Sequence, residues 1–215
     1  MEKMLVTQAL DERDLLVKKI SSKIKSADFI AAIRHNEERV FNGQFTRKEF
    51  EERAASQFQQ IKDLVARYER IDAAIINSNA NTFVEVADRK YSIAAAIALR
   101  SRLKGTSTIT DFDSLLIQKM QQAYNDAIHI VDVQNQRVQT SAESMRNSIL
   151  GKDSKVKDDS PLDVVDVYVK ENSFELIDPL SLKQKMESLM ESRSALLREL
   201  DTAIKVSNAT TMIEF

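Results

Sequence analysis

The chain has 215 residues, enough for one large or two small domains, with 30% charged and 43% hydrophobic residues, which excludes a disordered polymer. The formal net charge of −2 excludes the basic surplus of a general nucleic-acid binder, and the absence of cysteine removes disulfides, thiolate metal sites and cysteine nucleophiles together. Three glycines and two prolines leave few breakers, which favours long helices over a many-stranded sandwich.

The first predicted element is a helix from about Met4 to Lys25, with Leu5, Ala9, Leu16, Ile20 and Ile24 at helical spacing. Ser26-Ala27-Asp28 breaks it, and Asn42-Gly43 reads as a turn. Thr46 and Glu49 have capping-box spacing and open a long helix whose apolar face runs from Phe50 through Phe58, Ile61, Val65, Tyr68 and Asp72 to Ile75. A break is expected at Ser78-Asn79-Ala80-Asn81. Thr82 to Val86 then alternates as a strand, Asp88-Arg89 turns, and Lys90-Tyr91 returns. Ser92 caps a helix from Ile93 to Lys104, closed by Gly105. Thr110 caps a second long helix, Asp111 to Leu150, ended by Gly151, with Gln134, Asn135 and Gln136 as polar layers in a coiled-coil-like stripe. Residues 152–160 form a charged linker. Asp163 to Lys170 reads as the strongest strand of the chain, with Phe174 to Ile177 as its partner. Asp178 or Ser181 opens the last helix, to about Val206, and a strand over 211–215 ends the sequence with Phe215 tucked into a sheet.

One pattern organises these elements. IDAAIINSNANTFVE (71–85) recurs as LDTAIKVSNATTMIE (200–214) at a constant offset of 129 residues, from Asp72 to Asp201. Asp72, Ser78, Asn79 and Thr82 thus match Asp201, Ser207, Asn208 and Thr211. Each copy reads as a joint where a long helix turns into a strand. Asn79 and Asn208 suit the left-handed residue after a helix, Ser78 and Ser207 can bond the last carbonyls, and Thr82 and Thr211 start the extended segments. Asp72 and Asp201 either bond loop amides or face solvent. A sharper reading brings the two joints together as a polar pocket for a nucleotide or other small ligand.

The fold expected is therefore mainly α: long antiparallel helices in a coiled-coil-like bundle, with a small sheet of short strands at 82–91, 163–177 and 211–215. One domain with an internal duplication (71–85 and 200–214) would carry a helical arm at 111–150.

The opening stretch LVTQALDERDLLVKKI, the joint IINSNANTFVEV followed by YSIAAAIALR, the segment VVDVYV, and the closing stretch ELDTAIKVSNATT resemble the septicolysin-like family of small, mostly helical bacterial and phage proteins of uncharacterised function. The resemblance covers about half the chain and misses Asp111 to Ser160. Ala209 stands where the family carries Trp, and Arg89 near a family Gly. It implies a mostly helical oligomer, a possible phage or prophage origin, and no assigned catalytic residues.

Candidate chemistry is sparse. Gly43, Gly105 and Gly151 are isolated, so no glycine-rich loop cradles phosphate. His35 and His129 sit in polar or boundary positions. Asp111 with Asp113, and Asp158 with Asp159, are candidate carboxylate pairs for a divalent metal, and helix-terminus and linker roles account for both. Arg100, Arg102 and Lys104 suit a helix C-terminus better than phosphates. The sequence thus points to a non-enzymatic assembly protein with no cofactor, forming a homo-oligomer through its helices and short strands. No membrane span and no secretory leader are read, so a cytoplasmic or virion location is expected, and nucleic acid is not the expected partner.

Overall fold

The computed structural model describes residues 2–35, 37–41, 43–150 and 160–215, and only the backbone of 150 and 160–162. The protein is mainly α. Strand β1 (Lys3–Leu5) leads into helix α1 (Val6–Lys25). A short hairpin, β2 (Arg39–Val40) and β3 (Phe45–Thr46), precedes α2 (Arg47–Asn81). The hairpin of β4 (Phe83–Val86) and β5 (Arg89–Ser92) leads into α3 (Ile93–Leu103). Then follow α4 (Phe112–Leu150), α5 (Ser160–Asn172), α6 (Leu182–Thr210) and β6 (Met212–Glu214).

Side-chain caps fix the starts of α2, α3, α4 and α6. Thr46 Oγ1 accepts from the Glu49 amide at 3.3 Å while the Glu49 carboxylate accepts from the Thr46 amide at 2.7 Å. That backbone hydrogen bond holds the Glu49 carboxyl below its ordinary range. Ser92 Oγ accepts from the Ala95 amide at 3.2 Å, and the Asp178 carboxylate accepts from the Leu182 amide at 2.8 Å. Asp111, rather than Thr110, caps α4 by accepting from the Ser114 amide at 3.3 Å.

The chain divides into two compact units, 1–107 with 196–215, and 108–195. In the second unit, α4 and α5 run antiparallel, since Arg146 pairs with Asp166 at 2.7 Å and Asn135 meets Phe174. Ile117, Val138, Ala142, Val165 and Met186 are its buried apolar residues. Arg193 clamps Asp111 with two bonds of 2.6 and 2.9 Å and holds its carboxyl below the usual range.

The first unit consists of two modules built on one plan. Besides the 129-residue repeat, Lys3, Ala9, Arg13 and Leu16 recur as Lys90, Ala96, Arg100 and Leu103, at an offset of 87 residues. In module A, α1 packs antiparallel to α2, and β1 pairs with β6. In module B, α3 packs on the last part of α6, and β4 pairs with β5. Both pairings have the same register: Lys3 opposes Glu214 as Lys90 opposes Glu85. Val6 donates to Thr211 O at 3.0 Å, and Ile93 donates to Thr82 O at 2.9 Å. Val6, Ala9, Ile71 and Ile75 are buried in module A; Ile93, Ala96, Leu200 and Ile204 are buried in module B. The strands are exchanged. Helix α2 belongs to module A but its strand β4 joins module B, while α6 belongs to module B but its strand β6 joins module A.

Several expectations need correction. The Ser-Asn-Ala stretch is no turn: α2 continues through Asn81 and α6 through Thr210. Neither Asn79 nor Asn208 has a positive φ. The break falls one residue later, where Thr82 (φ −92°, ψ 135°) steps directly into β conformation. Asn81 Nδ2 donates to the Asn77 carbonyl at 2.9 Å, and the equivalent Thr210 hydroxyl donates to the Val206 carbonyl at 2.9 Å. With last-turn carbonyls satisfied by side chains four residues on, no left-handed cap is required.

Residues 163–170 are helical, inside α5, and 174–177 form no strand. Val165, Tyr168 and Val169 have helical spacing, and Val165 is fully buried. Packing overrides the β preference of valine. The expected sheet of 82–91, 163–177 and 211–215 does not form: 82–91 is a hairpin by itself, 163–177 contributes no strand, and 211–215 pairs with the β1 region. Phe215 does bond into that ladder, exchanging hydrogen bonds with Glu2 at 3.1 Å. The tight turn falls at Ala87-Asp88, one residue early, with φ of 50° and 58°. Asn42, Gly151 and most of the linker, 152–159, lie outside the described residues; Ser160 already belongs to α5.

Candidate functional site

The two joints do come together. Thr82 and Thr211 each line two open grooves. One groove, of about 640 Å³, lies in module B between β4 and α6. The other, of about 310 Å³, lies in module A between β6 and α2. Ser207 lines the first and Ser78 the second. Asn79 and Asn208 are half-buried and line neither, so the pocket expected from paired Asn groups is a pair of Ser–Thr grooves instead.

Asp72 and Asp201 face neither loop amides nor open solvent. Asp72 accepts from Arg13 at 3.1 Å. Asp201 accepts from Lys104 at 3.0 and 3.1 Å, with Arg100 at 3.6 Å. The Lys104 hydrogen bond holds the Asp201 carboxyl below its ordinary range. Arg13 and Arg100 occupy matching places, so this helix-to-helix ion pair is part of the duplicated plan. It also gives Arg100 of α3, and Lys104 at its C-cap, a structural partner.

The grooves share a backbone and differ in lining. Val206 of the larger groove stands where Asn77 stands in the smaller; Phe83 stands where Met212 does. Phe83 and Val206 are 55% and 57% exposed, and the Lys90 ammonium lies 5.0 Å from the Phe83 ring centre. Arg198, Glu199 and Glu85 line the same groove with both signs of charge. Sequence spacing alone could not reveal this site, because its walls come from both copies of the repeat.

Elsewhere several acids are committed to ion pairs. Glu2 and Glu12 both engage Arg67, at 2.8 and 2.5 Å, and hold that guanidinium further into its charged range. Lys3 pairs with Glu214 and keeps its carboxyl low. No group of three or more metal-ligating side chains forms among the described residues, and His35 and His129 are exposed. Asp158 and Asp159 lie outside the described residues. No helix among the described residues is long and apolar enough to cross a membrane. Compared with known protein families, curated proteins and solved structures, the chain matches none.

Proposed function

We propose that the chain is a non-enzymatic assembly protein that works as a homo-oligomer through its long helices. The observation that carries this reading is the exposure of large apolar side chains along its elements. Phe112, Leu115 and Leu116 stand out from the start of α4, Val164 and Val167 from α5, and Leu15 and Phe58 from α1 and α2. Ile177 and Leu180 are 82% and 67% exposed in the segment before α6. Isolated exposed residues are ordinary, but runs on successive turns mark surfaces that a partner covers. Long helices with such stripes bury them by pairing with further helices. A bacterial or phage setting rests on the septicolysin-like resemblance alone.

Size-exclusion chromatography with light scattering tests the reading. An oligomer at micromolar concentration is expected, and Leu116→Glu with Val164→Glu should shift it toward the monomer. A monomer throughout contradicts the proposal.

A further inference from the structure

The register of the β4–β5 hairpin leaves one edge unused. With a two-residue turn, Val86 and Arg89 form the closing hydrogen-bonded pair, and such pairs alternate along the ladder. The bond from Ile93 to Thr82 O fixes the same phase. The main-chain groups of Phe83 and Glu85 therefore point away from β5. Neither residue's backbone makes a hydrogen bond on that side among the described residues. They face the larger groove, whose opposite wall is Thr202, Ala203 and Val206 of α6. The next outward amide, at Ala87, is already taken by the Glu199 carboxylate at 3.0 Å, which closes one end of the edge.

Module A provides an internal control. There the exchange of hydrogen bonds between Glu2 and Phe215 leaves Met212 and Glu214 as the outward-facing residues of β6. Its groove is half as large and faces Asn77, Ser78 and Asn81. The apolar lining of the module B groove is thus not imposed by the joint; it belongs to one copy.

We propose that the β4 edge of module B accepts an extended peptide of a partner protein as a third strand. Two residues, each offering an N–H and a C=O at two-residue spacing, match another strand and no compact ligand. The strand bonds to Phe83 and Glu85, and one apolar side chain of the peptide, such as Val, Ile or Leu, rests on Phe83, Ala203 and Val206. The mixed charges of Glu85, Arg198 and Glu199 call for no strongly charged peptide. A second copy is disfavoured as the occupant, because its own β4 edge is flanked by its own α6 and the two helices would meet in the groove. The proposal goes beyond assembly: it holds for a monomer as for an oligomer.

Fluorescence polarisation of the full chain with labelled pentapeptides tests it, using alternating Thr and a central Val, Ile, Leu or Asp. Apolar-centred peptides are expected to bind, and Val206→Lys, or methylation of one outward backbone amide of the peptide, should weaken binding about tenfold. Asn77→Lys, in the module A groove, should leave it unchanged. Phe83→Ala repeats the test should Val206→Lys lower the melting temperature. The proposal is overturned if no apolar-centred peptide binds better than the Asp-centred one. It is equally overturned if N-methylation, or both groove variants, leave binding intact.

Discussion

In module A, Arg67 of α2 bonds to Glu12 of α1 and to Glu2. At the corresponding places of module B stand Leu196 of α6 and Leu99 of α3, both packed against the core of Leu200 and Ile204. One backbone plan therefore tolerates an ion-pair network and an apolar contact at the same helix crossing. In module A the guanidinium also lies over the Phe215 ring, 5.6 Å from its centre, where module B has the buried Val86. The plan itself resides in what does not change: the strand register, the Val6 and Ile93 bonds to threonine carbonyls, and the Arg–Asp pair between helices. The grooves diverged in the same way, one polar and one apolar.

The comparison can be broken most forcefully in the cores. Ile71→Ala and Leu200→Ala remove fully buried side chains from matching sites, and each should cost about 2–5 kcal/mol in denaturant unfolding. If only one of the two is costly, the modules do not share the unit's stability as equals.

Arg67→Leu alone leaves two acids without their partner and should cost about 1–2 kcal/mol. Adding Glu12→Leu copies the module B pair into module A and should recover most of that loss. A double variant worse than Arg67→Leu would show that the two crossings are not interchangeable.

Asp201→Asn should lower stability only slightly at pH 7, because the pair is partly exposed. Its carboxyl is held low in the folded protein. The pair's contribution is therefore complete above the ordinary aspartate range and is lost as pH falls through the depressed folded value. The variant and the parent chain should converge in stability once the pH has fallen below that depressed value. An undiminished difference in acid would assign the effect to packing instead.

The smallest effect is expected at the β4–β5 turn. Ala87 has a left-handed φ of 50°, so Ala87→Gly should raise stability by up to about 1 kcal/mol. A destabilised glycine variant would mean that chain entropy outweighs the relieved strain.

Much of this plan was legible in the sequence. The helices up to α4, the caps at Thr46 and Ser92 and the 129-residue repeat were all readable, because each rests on local spacing or local side-chain chemistry. The second repeat was not, since Lys3, Ala9, Arg13 and Leu16 are too few shared residues to stand out before the strands are paired. The valine-rich segment of α5 misled because its β preference is local while burial of Val165 is tertiary. Asn79 and Asn208 misled for a related reason. Their residue type suits a left-handed cap, but Asn81 and Thr210 satisfy the carbonyls first and the helix simply continues. The strand partners and the groove were beyond reach because both depend on register between distant segments. Asn135 lay in plain view as a polar layer of α4, yet its amide bonds the main chain of Phe174 in both directions, at 2.7 and 2.9 Å.

Strand exchange between the modules is the central claim, and amide hydrogen exchange in a chain ending at Thr210 tests it most directly. Removing 211–215 deletes the carbonyl that Val6 bonds to but leaves the one that Ile93 bonds to. The account predicts that Val6 loses protection at least about tenfold while Ile93 keeps more of its own. Equal protection of Val6 in the shortened and intact chains would contradict it.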